Sequence, residues 1–149
     1  MNKIKYPFSY QEFKSIYSKV PRLTIELVIT NKREVLFLLR KDHGWEGLWH
    51  LPGATMYYGE TILDCVARTA KEELGINVNV KKFLGYNEYP SELKERGFGT
   101  AVGLIFFCTI SAKNREILLE RKDIKFFKKL PNDIVHEHKL FLRKKLKMR

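Results

Sequence analysis

Residues 51–76 bring together a Pro52-Gly53 turn, an acid at Glu60, an arginine at Arg68 and two adjacent carboxylates at Glu72 and Glu73. Oxygen donors beside a tight backbone turn suit a hard divalent cation. Such a cation takes one or two carboxylates and completes its shell with water and phosphate oxygens. The helical pattern decides which groups can cooperate. Residues four apart share a helix face, so Glu72 stacks on Arg68 and Glu73 on Thr69. Arg68 can therefore pair with Glu72, while Glu73 is left to face the preceding loop. A plainer reading exists for each residue. Adjacent glutamates on a helix are commonly a solvated face, and Glu60 with Arg68 would serve equally well as a structural ion pair. The fixed spacing between all of these residues and the Pro-Gly turn is what favours chemistry.

The stretch resembles the Nudix box, G-x5-E-x7-R-E-U-x-E-E-x-G-U, with U an aliphatic residue. Ala54 stands at the leading glycine, Glu60 and Arg68 at the next fixed positions, and Thr69 where the family has glutamate. Ala70 and Lys71 follow, then Glu72, Glu73, Leu74, Gly75 and Ile76. The lead-in Trp49-His50-Leu51-Pro52-Gly53 is also similar. The resemblance implies an α/β chain folded as a Nudix-type α/β/α sandwich around a mixed β-sheet. It implies hydrolysis of a nucleoside diphosphate linked to another moiety, with Glu60, Arg68, Glu72 and Glu73 as the catalytic set. Magnesium, with manganese as a substitute, would be held by the Gly53 carbonyl, Glu72, Glu73 and Glu120. A homodimer is common in the family.

Two positions depart from the motif. Thr69 removes an anionic ligand, which favours one metal over a cluster and moves base duty elsewhere. Ala54 permits fewer backbone angles than glycine. The loss of the same glutamate occurs in the GDP-mannose mannosyl hydrolase-like branch, where water attacks the sugar carbon. Pro21-Arg22-Leu23-Thr24, Leu38-Leu39-Arg40 and Gly47-Leu48-Trp49 are similar to that branch. Glu120 matches its metal-binding glutamate, but Lys122 falls where it has a histidine. Lysine is protonated at neutral pH and is a poor general base. The expected substrate is a nucleotide sugar, GDP-mannose- or ADP-ribose-like. Two alternatives remain: a weakened Nudix fold binding nucleotide or RNA, and a nucleoside triphosphate pyrophosphohydrolase. Arg40, Tyr89, Arg96 and Lys122 are the expected substrate-binding residues, and long polar loops such as residues 87–99 often carry that role. Trp45, Tyr57, Tyr58, Tyr86 and Tyr89 are candidates to stack on a base.

The elements that must position these groups follow from hydrophobic patterning. Ser9 caps a helix to Ser18. Leu23–Thr30 and Val35–Leu39 read as a hairpin of strands, with Asn31-Lys32-Arg33 as the turn. Thr61–Leu74 reads as a helix with an apolar stripe of Leu63, Val66, Ala67, Ala70 and Leu74. Thr61 and Asp64 form a capping box, and Gly75 ends the helix. Val78–Tyr86, Ala101–Ile110 and Ile124–Phe127 read as strands, and a last helix opens at residues 130–133 and runs to about Lys145.

Composition bounds the rest. The 149 residues suit a single domain, 1–149, with an N-terminal helical segment in 1–20 and a basic C-terminal helix or tail in 130–149. The hydrophobic fraction of 44% suits a globular core. No apolar run reaches a membrane span and no secretory core is present at residues 1–10, so no membrane partner is expected. Two cysteines, Cys65 and Cys108, lie in apolar patterns and read as buried thiols, consistent with a cytoplasmic protein. The net charge is +11, of which residues 139–149 contribute six cations and no acid. The tail reads as a solvated helix end. With no aromatic interleaving beyond Phe141, a nucleic-acid partner is not expected. The expected partner is a small nucleoside diphosphate derivative.

Overall fold

The computed structural model describes residues 8–149. Residues 1–7 of the expected N-terminal segment lie outside the described residues. Helix α1 (Tyr10–Tyr17) starts at Ser9, whose hydroxyl accepts from the Glu12 N–H while Glu12 bonds back to the Ser9 N–H. Strand β1 (Arg22–Asn31) turns into β2 (Glu34–Leu39), and Thr30 pairs with Val35 as the hairpin reading requires. Short strands β3 (Trp49–His50) and β4 (Gly53–Thr55) follow. Then come α2 (Ile62–Thr69), β5 (Asn79–Glu88), α3 (Glu92–Arg96), β6 (Ala101–Thr109), α4 (Ala112–Leu119), β7 (Ile124–Phe127) and α5 (His136–Leu146).

The sheet is mixed. β1 runs parallel to β6 from Arg22↔Ala101 to Ile29↔Cys108, and β5 lies antiparallel on the far side of β6. β4 lies antiparallel to the start of β1, with Glu26 opposite Gly53. β2 carries β7 and β3. Side chains alternate across a strand, so each face of β1 builds its own core. Ile25, Leu27 and Ile29 pack with Cys65, Val66, Ala70 and Leu74 of the α2 segment and Leu118 of α4. Val28 packs with Ile105, Phe141 and Leu142 on the α5 side. This is the expected sandwich, and β1 is its central strand.

Four elements differ from the sequence reading, each for a physical reason. The helix read as 61–74 is α-helical only to Thr69 and continues as a π-helical turn over Ala70–Leu74, closed by Gly75 at φ +72°. Its buried face is Cys65, Val66, Thr69 and Ala70, while Leu63 is exposed and Ala67 lies outside the core. The Thr69 hydroxyl donates to the Cys65 carbonyl at 2.7 Å, which lets a polar side chain turn inward. The last helix begins at His136 rather than near residue 131. Residues 133–135 instead run beside β3, with Trp49 N–H on the Asp133 carbonyl and Val135 N–H on the Trp49 carbonyl. The loop 87–99 contains α3. Helix α4 has Leu118 as its one buried residue, so it presents no apolar stripe to read. No helix among the described residues is long and apolar enough to cross a membrane.

Candidate active site

The amino ends of the central parallel strands β1 and β6 open into a cleft of about 670 Å³. Its lining includes Gly53, Glu72 and Glu73 on one side and Arg22, Arg40 and Arg96 among its cations. The box folds around Arg68. Its Nε and Nη2 donate to the two oxygens of buried Glu60, at 2.5 and 3.0 Å, and Nη2 also donates to the Thr55 carbonyl at 2.7 Å. Its Nη1 reaches Glu72 at 3.0 Å, and the guanidinium lies 3.6 Å over the Tyr57 ring. Glu60 in turn accepts the Tyr57 N–H at 2.8 Å, across the turn that Gly59 makes at φ +83°. One arginine thus ties the loop to the helix, and it holds Glu72 by one oxygen.

Glu73 is the more buried of the adjacent pair. Burial pushes its pKa above the ordinary carboxylate range; nearby Glu72 adds to this, against the pull of Arg40 and Arg121. The Glu73 backbone carbonyl accepts from Arg121 Nη1 at 2.7 Å, and Arg121 also forks onto Asp123 at 3.0 and 2.8 Å. That fork holds the Asp123 carboxyl down to about 2. The π-helical end is therefore pinned to the start of β7. Among the described residues no three acidic, histidine or cysteine side chains converge as a metal cage. Two carboxylates beside a backbone turn, with room for water and phosphate oxygens, match the demands of magnesium better than those of zinc.

Arg40 and Arg96 both line the cleft. Both donate to carbonyls of the loop before β3: Arg40 Nε to Asp42 and Gly44, Arg96 Nε to His43 at 2.9 Å. Trp45, Tyr57 and Tyr89 line the cleft, whereas Tyr58 and Tyr86 are exposed elsewhere. Glu120 and Lys122 are exposed around the turn after α4 and are not among the lining residues; their neighbours Arg121 and Asp123 are. His50 lines the cleft with its Nδ1 on the Leu51 carbonyl at 2.8 Å. Burial, then Arg40 and His138, lower its pKa to about 3, so it is neutral.

Sequence reading missed Glu26 and His138. Glu26 is buried in β1 and lines the cleft. It accepts from the Tyr89 hydroxyl, from His138 Nε2 at 3.0 Å and from Thr24 Oγ1 at 3.1 Å. His138 Nδ1 accepts the Leu51 N–H at 3.2 Å, so the ring proton sits on Nε2. Burial opposes ionisation of Glu26, but His138, Tyr89 and Thr24 outweigh it and hold the carboxyl below its usual range. Gly53 and Gly103 make the space: a Cβ at Gly53 would lie 2.9 Å from Glu26 Cγ, and one at Gly103 would lie 2.5 Å from Oε1. The legible signal was a lone acid inside an apolar strand. A buried charge needs partners, and here they come from the residue that follows β5, from α5 and from β1 itself.

A family model of the NUDIX domain matches residues 20–146. A low-salt glycan biosynthesis protein, Agl8, of Haloferax volcanii is 29% identical over 119 residues, covering 78% of this chain and 76% of that protein. An ADP-ribose pyrophosphatase of Methanocaldococcus jannaschii is 26% identical over 107 residues, covering 72% of this chain and 62% of its own length. The fold is shared with a MutT NUDIX hydrolase from Burkholderia pseudomallei, with a TM-score of 0.67 at 22% identity over 83% of this chain and 97% of that one. The box geometry and the family match agree, and this chain belongs to the NUDIX family.

Proposed function

We propose that the cleft hydrolyses a nucleoside diphosphate linked to a sugar. The observation that carries this reading is the opposition of two wall chemistries in one cleft. Glu73, with Glu72 beside it, faces a guanidinium, Arg40, close enough for each to shift the other's pKa. A diphosphate needs both, a cation-binding carboxylate pair and a direct cationic contact. Glu72, Glu73 and the Gly53 carbonyl would hold magnesium, or manganese, whose charge offsets that of the diphosphate and orients water. Arg68 holds Glu72 in place and braces the loop through Glu60. Arg40 takes phosphate oxygens with the part of its fork not committed to the loop carbonyls. Arg96, Tyr89 and Lys122 remain substrate contacts in this reading, and Glu120 a further metal ligand. Of these, Lys122 and Glu120 have the least structural support, since both lie off the cleft wall. The substrate is a small molecule and not a nucleic acid, and the working unit is a homodimer in the cytoplasm. Support for a sugar-linked substrate comes from Thr69, because a motif lacking that glutamate resembles the mannosyl hydrolase-like branch, and from similarity to a glycan biosynthesis protein.

The test is turnover of nucleotide sugars, ADP-ribose, dinucleotides and triphosphates with magnesium in oxygen-18 water, beside a Glu73→Gln control. Turnover of nucleotide sugars that the control lacks is expected. Label on the free sugar means attack at carbon, and label on phosphate means attack at phosphorus. Turnover confined to triphosphates would overturn the proposal in favour of a nucleoside triphosphate pyrophosphohydrolase, and none above the control would overturn it and leave a nucleotide-binding module.

A further inference from the structure

The cleft holds more positive charge than a diphosphate beside Arg40 accounts for. Arg22 and Arg96 share the cleft with Arg40: Arg22 is close enough to lower the Arg40 pKa, and Arg22 and Arg40 both lower that of Arg96. Arg22 Nη1 donates to Thr55 Oγ1 at 2.9 Å and Nη2 to Glu92. Arg96 approaches the same Glu92 oxygen only at 3.7 Å. Glu92, fully buried, is one carboxylate for two guanidiniums; Arg22 bonds its Oε1, and its Oε2 is buried without a hydrogen-bond partner. The Arg96 side chain is 9% exposed, and its Nη1 has no hydrogen-bond partner; Arg22 Nε is likewise buried without one. A buried donor left unmade costs free energy, and a ligand that supplies an acceptor recovers it.

The surroundings are shaped for Arg96. Its guanidinium lies 5.5 Å over the Phe13 ring and 5.9 Å over that of Phe98, and Arg22 lies 5.7 Å over Phe13. The aromatic faces exclude water and strengthen any charge interaction there. Gly44, at φ +91°, leaves room for Arg96, since a Cβ would come within 3.0 Å of Arg96 Cγ. Burial, then Arg22 and Arg40, press the Arg96 pKa down to about 10 against the opposing pull of Glu92, the direction expected of cations crowded around one shared carboxylate.

We propose that Arg96 and Arg22 form a second anion subsite, which takes a carboxylate or phosphate monoester carried by the group on the far side of the substrate's diphosphate. This rests on the hydrolase reading above for the placement of the diphosphate, but not for the binding of the anion. The planar fork of arginine favours bidentate oxyanions, so both chemistries fit.

The test has two arms. In the first, metal-free protein is titrated with inorganic phosphate and with acetate while the side-chain Nε–H signals of Arg96 and Arg22 are followed by NMR. Saturable shifts of both are expected, and Arg96→Gln should weaken phosphate binding about tenfold or more, the worth of a charged hydrogen bond. Arg96→Lys keeps the charge and loses the fork, so it too should weaken binding, and it replaces the glutamine variant if that one does not fold. Unmoved arginine signals in wild type, or equal affinity in the variants, overturn the subsite. In the second arm, kcat/KM with magnesium is compared for UDP-glucuronate against UDP-glucose and for NADPH against NADH. A preference for UDP-glucuronate assigns the carboxylate, and one for NADPH the phosphate. In each case Arg96→Gln should abolish the preference. Shifted arginines without turnover of any substrate would sink the hydrolase reading and keep the subsite. Turnover without preference or shifts would do the reverse.

Discussion

Glu73 is a carboxylate whose surroundings disfavour its charge, and that discomfort is informative. Its folded pKa lies above its ordinary 4.5 because of burial, with Glu72 adding to it. A carboxylate raised in this way contributes stability that is complete below its unfolded value. That contribution is lost as pH rises through the raised folded value. Buried, neutral His50 adds stability as pH rises over the same interval, so the Glu73 contribution is read by difference: metal-free wild type should lose melting temperature relative to Glu73→Gln as pH rises from 4.5 towards neutrality. Magnesium should reverse it in the wild type: at a hundredfold excess over its Kd a ligand stabilises by ~2.7 kcal/mol. It should leave Glu73→Gln nearly unmoved. Melting curves across pH with and without magnesium check this, and equal magnesium stabilisation of both proteins would rule Glu73 out as a ligand. The motif made Glu73 legible because its spacing from Arg68 survives in the fold. The role of Thr69 was less legible. Its side chain is fully buried against Cys65, so the position faces the core as well as departing from the motif.

At the scale of elements, the site depends on what β1 places between its neighbours. The strand was easy to read, since its residues are apolar and β-branched. The outlier Glu26 was not, because its partners Tyr89 and His138 lie 63 and 112 residues away in sequence. Alternation puts Glu26 on the face opposite Ile25 and Leu27, and the two flanking strands answer with Gly53 and Gly103. Gly103→Ala should therefore destabilise the fold by about 1–3 kcal/mol through overpacking. The cause can be isolated, because the clash is with Glu26 rather than with backbone. Glu26→Ala removes the obstructing carboxylate, so the double variant should lose less than the sum of the single losses. Urea unfolding of the four proteins measures the coupling, and strict additivity would show that Gly103 is small for another reason. The π-helical turn after Thr69 also escaped sequence reading. It changes the hydrogen-bond step without changing composition, and such turns are found where a helix carries function.

For the whole molecule, the net charge of +11 invites the idea that the chain attracts anions over a distance. The structure separates two populations of cation. Arg22, Arg40 and Arg96 line the cleft and are at least partly buried, where salt screens them weakly. Arg143, Lys144 and Lys147 at the end of α5 are exposed, and none appears in an ion pair among the described residues. Charges of that kind act through a medium whose screening length is about 8 Å at physiological salt. Replacing all three tail cations with glutamine should shift stability by no more than about 0.5 kcal/mol per site. It should change kcat/KM for a nucleotide sugar less than about twofold at physiological salt, since screening of that length leaves distant exposed charges little hold. The catalytic proportion of the charge would then be local to the cleft. Steady-state kinetics from low to physiological salt test this directly. If the triple variant flattens the salt dependence that the wild type shows, the tail steers substrate, and its charge belongs to the catalytic surface rather than to a solvated helix end.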